Sequence, residues 1–182
     1  MSIYTTESTK HFLISEYDTW SAKIVAGDEV FLTGTVYTAR DAAHKRIKEL
    51  AEASRPLPFD PKGAFIYYAG PTESRPGKII GSCGPTTSSR MDQFTPLMLS
   101  LGISGIIGKG ERSIETKKSF LNNNALYFCA IGGCGALYSE CITSCEIIAF
   151  DDLGCESVKK LHVKDFPVYC AYDLHGGDIF KR

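Results

Sequence analysis

The chain has 182 residues, of which 43% are hydrophobic and 23% charged, and its net charge is −1. This length and composition suit one globular domain with a sizeable core, and we expect residues 1–182 to form it. The near-neutral charge does not favour nucleic acid or an anionic membrane as a partner. The N-terminal residues lack a basic segment followed by an apolar run, and no apolar stretch approaches the roughly 20 residues of a membrane span. We therefore expect a soluble, cytoplasmic protein without a signal peptide.

Runs of β-branched and aromatic residues predict the strands. The longest runs cover residues 29–36, 63–70 and 125–132, the shorter ones cover 102–108, 145–151 and 167–173, and residues 10–17 are a further candidate. Several of these runs are apolar throughout and do not alternate with polar residues. That pattern is typical of strands that are buried on both faces.

Helical patterns separate these runs. The first helix is predicted to begin at Thr38, with apolar residues three or four positions apart as far as residue 50, and Thr38 with Asp41 suggests a capping box. A second helix is predicted from Thr95, which we expect to be its cap, to Gly102, and a third after Ser113. Strands interleaved with helices indicate an α/β fold with a largely buried sheet.

Three stretches rich in Gly, Ser or Thr each carry a cation where an element begins or ends. Arg40 is predicted to be the second residue of its helix, where the dipole is positive and an anion can dock. Residues 81–92 read GSCGPTTSSRMD and place glycines, hydroxyls and backbone amides in front of Arg90, whose fork fits a carboxylate. Lys109 lies between two glycines at the end of a predicted strand. If the three converge, their charges suit a small di-anion.

Each stretch also has an ordinary structural interpretation. Arg40 could be a solvated arginine, the loop before Arg90 could cap the short helix after it, and Lys109 could be a turn lysine. The sequence has no nucleotide-binding glycine pattern and no evident general base. Asp41 and His44 lie one helical turn apart and could pair, although His44 is better suited to supporting the helix.

Six of the seven cysteines lie in the last third of the chain; the seven positions are 83, 129, 134, 141, 145, 155 and 170. No two are spaced as Cys-x-x-Cys, and most lie in apolar runs, where a free cysteine behaves as a small buried hydrophobe. We therefore predict a packing role in a reducing compartment. Metal binding by the C-terminal cysteines is the alternative.

Three motifs in order, GDEVFLTGTVYTARDAAHKRI, GPTTSSRMD followed by FTPLML, and GIIGKG, resemble a known family. It is the β subunit, or C-terminal domain, of the class I fumarase and L-tartrate dehydratase family of iron–sulfur hydro-lyases, and the likeness spans residues 10–175. The resemblance implies a three-layer swivelling β/β/α domain with a mixed sheet. It also implies reversible hydration of fumarate to malate, with dehydration of L-tartrate as the alternative activity.

The resemblance further implies a [4Fe-4S] cluster that acts as a Lewis acid on the substrate hydroxyl. The cluster would be held by three cysteines of an α subunit and not by this chain. We therefore expect a hetero-oligomer whose β subunit is inactive alone.

By the same resemblance, Thr86 is the proposed base for the carbon-bound proton. Arg40, Arg90 and Lys109 would bind the substrate carboxylates, and Lys109 could instead stabilise the enolate-like charge that develops during the reaction. A hydroxyl is ordinarily a poor base, so Thr86 requires adjacent cations, and Arg90 is one candidate.

The resemblance also assigns Asp41 and His44 as residues that support this site. Ser88 and Ser89 depart from the family pattern. A hypothesis of a different class is a non-catalytic module that binds carboxylate or phosphate and has no α partner. An exposed apolar surface on the side that bears the motifs would favour the subunit, because a subunit needs an interface.

Overall fold

The structure, a computed structural model, describes residues 10–181. Residues 1–9 and residue 182 lie outside this description. The expectation that the N-terminal segment is not a signal peptide falls largely on residues 1–9. The strands of the described range are β1 Lys10–Leu13, β2 Glu29–Thr38, β3 Phe65–Tyr67, β4 Gly105–Gly108, β5 Leu126–Cys129, β6 Ile142–Ala149 and β7 Val158–Tyr172. The α-helices are α1 Tyr17–Trp20, α2 Asp41–Glu52, α3 Thr95–Ser100, α4 Ile114–Asn122 and α5 Gly135–Glu140.

The strands form one mixed sheet, which confirms the predicted α/β class. Its order is β1-β2-β3-β4-β5-β7-β6, and the first five strands run parallel to one another. Strand β7 is antiparallel to β2, β5 and β6. Because β7 pairs with both β2 and β5, the hydrogen-bonded strands β2, β3, β4, β5 and β7 form a closed circuit.

The central strands are apolar throughout because both of their faces are buried. The buried residues form two hydrophobic clusters, and successive residues of β3 alternate between them. Phe65 and Tyr67 belong to the first cluster, whereas Ile66 and Tyr68, which follows the strand, belong to the second. Helices α2, α3 and α4 contribute to the second cluster, for example through Ile47 of α2. This is the arrangement expected of parallel strands that are covered on two sides.

Several element boundaries differ from the predictions. Strand β7 is predicted over 167–173 but begins at Val158. The prediction missed the first half of the strand because that half alternates buried and exposed residues and contains no long apolar run. The candidate strand 10–17 ends at Leu13 and continues as short helical turns. Helix α5 is not predicted, since its six residues are too few to set a helical period.

The predicted start of helix α2 is wrong. Thr38 is the last residue of β2, and its hydroxyl accepts a hydrogen bond from Lys159 N at 3.0 Å, so it does not cap the helix. The helix begins at Asp41, and Arg40 is the N-cap residue with an extended backbone. Thr95 is likewise no cap, because its hydroxyl donates to the carbonyl of Met91 at 2.9 Å.

The other predicted helix signals are confirmed. The Ser113 side chain accepts from Thr116 N at the start of α4, as an N-cap does. Gly102 follows the end of α3 with a φ of 107°, a left-handed backbone that favours glycine.

Candidate functional site

The predicted site residues follow the carboxyl ends of adjacent parallel strands. Arg40 follows β2, Gly70 follows β3, Lys109 follows β4 and Gly132 follows β5. Carboxyl ends of parallel strands share one edge of a sheet, and ligands commonly bind there. The sheet topology therefore brings Arg40 and Lys109 to the same edge, although they are far apart in the sequence.

The Arg40 side chain lies across the backbone of Gly70. A Cβ atom at residue 70 would come within 2.6 Å of Arg40 Nη1 and 3.0 Å of its Cδ, so only glycine leaves room for this path. The Arg40 Nη2 atom lies 3.4 Å from Glu156 Oε1. Its buried Nε atom has no hydrogen-bond partner within the described residues. Arg40 therefore keeps one donor whose hydrogen bond is not supplied by the described residues.

The loop that contains Thr86 is fixed across the same edge by backbone hydrogen bonds. Thr86 N donates to Tyr68 O at 2.7 Å, next to the end of β3. Two residues later, Ser88 N donates to Lys109 O at 2.9 Å, and Lys109 N donates to Ser88 Oγ at 2.8 Å. These bonds hold Thr86 between the ends of β3 and β4.

Ser88 is fully buried, so its hydroxyl has a structural role at the end of β4. The sequence suggested that Ser88 is one of the hydroxyls that could contact a ligand, but the buried side chain does not face solvent. Gly84 also serves packing, because a Cβ there would come within 3.3 Å of Gly135 Cα. The half-buried Thr86 and the exposed Thr87 and Ser89 remain accessible in this loop.

Arg90 is joined to the start of helix α2 by a bidentate ion pair. Its Nε and Nη2 atoms donate to the Asp41 carboxylate at 3.2 and 2.8 Å. Such a two-point contact fixes the plane of a guanidinium. Because Asp41 is adjacent to Arg40, the pair also places the two arginines on neighbouring parts of the site.

Lys109 differs from the arginines because its charge has no carboxylate partner in the described range. Its side chain lies along Gly132, with Nζ 3.5 Å from the position that a Cβ would take there. Its backbone pairs with Thr87, the neighbour of Thr86, in an isolated bridge. A cation without a partner, half-buried beside a loop of hydroxyls, is suited to an anionic ligand.

His44 supports the backbone of Arg40 and does not pair with Asp41. The His44 ring is fully buried, and its Nδ1 atom lies 2.9 Å from Arg40 O. A carbonyl only accepts, so Nδ1 carries the proton, and Nε2 is a buried acceptor without a partner in the described structure. Burial lowers the pKa of His44 to about 4, and the charge of Arg112 acts in the same direction. His44 is therefore neutral near pH 7.

Two further residues near this edge were missed from the sequence. Glu156 contacts Arg40 from a segment more than a hundred residues away, and no local pattern indicates such a contact. Arg112 is buried, forms an ion pair with Asp92 at 2.6 Å and donates to Thr95 Oγ1 at 2.6 Å. The motif GKGERS contains Arg112, but an arginine in a polar turn predicts exposure, not burial.

The cysteines are less buried than predicted. Cys83 and Cys170 are buried, Cys155 is exposed, and the other four are intermediate. Across residues 10–181, no three side chains of His, Cys, Asp or Glu are grouped so that they could hold a metal ion. The same range contains no helix that is long and apolar enough to cross a membrane.

Comparison with protein families matches residues 9–182 to the family described as Fumarase C-terminus. The chain belongs to this family. It is 39% identical over 158 residues to Fumarate hydratase 2 of Leishmania major, a match that covers 86% of this chain and 28% of that protein. It is also 39% identical over 166 residues to the putative L(+)-tartrate dehydratase subunit beta of Methanocaldococcus jannaschii, covering 88% of this chain and 85% of that protein.

A third relative, the L(+)-tartrate dehydratase subunit beta of Escherichia coli, is 34% identical over 164 residues, which are 87% of this chain and 80% of that protein. The chain thus spans most of these two β subunits but only 28% of the fumarate hydratase. The resemblance read from the three sequence motifs is confirmed. The family relationship supports a hydro-lyase, an enzyme that adds or removes water.

Proposed function

We propose that the chain is the β subunit of an iron–sulfur-dependent hydro-lyase that reversibly hydrates fumarate to malate. One observation carries the proposal. Arg40 and Lys109 follow the carboxyl ends of β2 and β4, the loop that carries Thr86 and Arg90 is bonded across the same edge, and Lys109 has no carboxylate partner in the described range. The three-layer swivelling β/β/α architecture is part of this proposal, and the two apolar clusters in the described core support it.

We assign the substrate carboxylates to Arg40, Arg90 and Lys109. Each charge-assisted hydrogen bond would contribute roughly 1.5–3 kcal/mol, enough for a few such bonds to hold a small dicarboxylate. Asp41 fixes the plane of the Arg90 guanidinium, and His44 holds the backbone of Arg40. These contacts are the basis for the supporting role that we assign to Asp41 and His44.

We assign the transfer of the carbon-bound proton to Thr86. In the dehydration direction its oxygen would take a proton from the carbon next to a carboxylate, and in the hydration direction it would return that proton. Negative charge then develops on the carboxylate, where Lys109 or an arginine stabilises it more strongly than in the ground state. The same cations favour a deprotonated Thr86 hydroxyl, which makes no hydrogen bond of its own within the described residues.

We assign the [4Fe-4S] cluster to an α subunit. The described part of this chain offers no grouped ligand set, so its residues do not fit the cluster. When bound to the partner, the cluster would act as a Lewis acid toward the substrate hydroxyl. The names of two relatives, each a tartrate dehydratase subunit beta covered to 80% or more by this chain, support a separate α subunit.

Exposed apolar residues near the site favour a subunit over a binding module that acts alone. Ile131 is 49% exposed in the loop after β5, one residue from Gly132, and Leu137 is 70% exposed on helix α5. An apolar surface on the side of the motifs is what an interface with an α subunit requires.

L-Tartrate is the second candidate substrate. The observation in its favour is that the chain matches 85% and 80% of two relatives named as tartrate dehydratase β subunits. Fumarate and tartrate are both small dicarboxylates, so the same three cations would suit either one. A direct comparison of the two substrates is therefore part of the test.

The test is to co-express the chain with its α subunit under anoxic conditions and to measure hydration of fumarate and dehydration of L-tartrate. Thr86→Ala should lower kcat by about 100-fold or more, because it removes the proton acceptor, while the pair still assembles. Thr87→Ala is the matched control, since Thr87 is an exposed neighbour in the same loop. Turnover of tartrate alone would change the substrate and keep the site.

The proposal fails if the wild-type pair assembles but turns over neither dicarboxylate. A Thr86→Ala variant with the kcat of Thr87→Ala would remove the role of Thr86. The chain tested without its partner should be inactive in each assay.

A further inference from the structure

We propose that Glu156 is a positioning residue that sets the direction of the Arg40 guanidinium. The inference rests on the proposed function, because it assigns Arg40 to a substrate carboxylate. Glu156 lies at the end of the segment Asp151–Glu156, between β6 and β7, and not in any of the motifs that indicate the site. Its role comes from the contacts made by its two carboxylate oxygens.

The two oxygens of Glu156 bind two different parts of the same short stretch. Oε1 lies 3.4 Å from Arg40 Nη2, and Oε2 accepts a hydrogen bond from Ala42 N at 3.0 Å. Ala42 is the second residue of helix α2, so Glu156 supplies the acceptor that no N-cap side chain provides. One carboxylate therefore connects the Arg40 side chain to the backbone that follows it.

Glu156 cannot easily move away, because the residues around it are fixed. Lys159 Nζ donates to Gly154 O at 3.0 Å and to Ser157 Oγ at 2.6 Å, and its side chain is buried. Thr38 Oγ1 donates to the carbonyl of Ser157 at 3.3 Å. Lys159 thus ties Gly154, before Glu156, to Ser157 after it, and Thr38 ties Ser157 to the end of β2, two residues before Arg40.

Gly70 confines the Arg40 side chain as well. Nη1 and Cδ lie against Gly70, and the carbonyl of Cys155 lies 3.4 Å from the position of a Cβ at residue 70. Arg40 is thus enclosed by Gly70 and the Asp151–Glu156 segment, and Glu156 is its only carboxylate partner in the described range. A guanidinium held in this way loses little further freedom when it binds a substrate carboxylate.

Positioning and simple charge repulsion predict opposite results. If Glu156 acts mainly by repelling a di-anion, removing its charge should lower KM. If it acts by aiming Arg40, removing its charge should raise KM, because the guanidinium then samples several directions. The simultaneous contacts of Glu156 with the Arg40 side chain and with Ala42 N favour positioning, and we therefore expect KM to rise.

The experiment compares Glu156→Gln with the wild type in the assembled αβ pair, using the dicarboxylate that the wild type turns over. Gln keeps an oxygen for Ala42 N but loses the charge that faces Arg40. We expect KM to rise by about tenfold, with a much smaller change in kcat, since ground-state and transition-state binding through Arg40 weaken together. Asp152→Asn is the matched control, because Asp152 lies in the same segment and pairs with Arg46 and not with Arg40.

A double-mutant cycle separates positioning from a general structural effect. In an Arg40→Ala background, Glu156→Gln should not raise KM further, because the guanidinium it orients is gone. An equal rise in both backgrounds would overturn the inference, as would a KM for Glu156→Gln that equals that of Asp152→Asn or falls below the wild type. If the wild-type pair turns over neither fumarate nor tartrate, the proposed function fails first, and the role of Glu156 fails with it.

Discussion

Protonation of His44 should destabilise the fold as the pH falls. The ring is fully buried, and its Nε2 atom has no partner in the described range, so a proton added there creates a buried charge without an acceptor. Burial is the main reason that the pKa of His44 falls from 6.5 to about 4, and nearby Arg112 contributes. The hydrogen bond to Arg40 O and the charge of Asp41 oppose this effect but do not cancel it.

The magnitude follows from proton linkage. The unfolded chain binds a proton at His44 with a pKa near 6.5, whereas the folded chain does so only near 4. Between these pH values the unfolded state holds more protons, so the free energy of unfolding falls as the pH is lowered. The contribution of neutral His44 to that free energy is fully present above pH 6.5. The whole difference corresponds to about 3 kcal/mol, of which about 2 kcal/mol is lost between pH 7.5 and pH 5.

The assay is urea unfolding at a series of pH values from 7.5 to 5, for the wild type and His44→Asn. The Asn amide can still donate to Arg40 O but does not titrate. Carboxylates contribute equally in both proteins, so the difference between the two curves isolates His44. We expect the wild type to lose about 2 kcal/mol more than the variant over this range. Parallel curves would refute the claim that His44 is held neutral.

Two further predictions concern packing around the site. Arg112→Met should lower the free energy of unfolding by about 3 kcal/mol in urea at pH 7.5, because it leaves the Asp92 carboxylate without its cation, and a loss below about 1 kcal/mol would contradict this. Gly108→Ala should cost about 1–3 kcal/mol, because the added Cβ would overlap Ser88 Oγ. In a Ser88→Ala background the cost of Gly108→Ala should be smaller, and an unchanged cost would show that Ser88 is not the obstacle.

The sequence was most informative where local chemistry determines structure. Ser113 and Gly102 were placed correctly because a cap and a left-handed stop depend on a few adjacent residues. The buried strands were found because two covered faces leave no polar residue to interrupt them. The half-exposed start of β7 has no such run, and its strand conformation is supported by pairing with β2 and β6.

The candidate site was predictable only in part, for a related reason. The sequence located Arg40, Arg90 and Lys109 by the glycines and hydroxyls beside them. It gave no indication of their partners, because an ion pair depends on which segments the fold brings together. The start of α2 was misplaced for this reason: the side chain that accepts from its first turn is Glu156, which is distant in the sequence, whereas Thr38 only resembled a local cap.

The charges at the sheet edge are balanced unequally, and this imbalance bears on how a di-anion would bind. Arg40 faces Glu156 and Arg90 faces Asp41, whereas Lys109 has no carboxylate partner among the described residues. The two acids oppose repulsion between the arginines and fix their directions, at the cost of part of their attraction for an anion. Lys109 gives up none of its charge to a neighbour. A substrate carboxylate should therefore gain its largest net electrostatic stabilisation from Lys109, and the arginines should contribute mainly orientation.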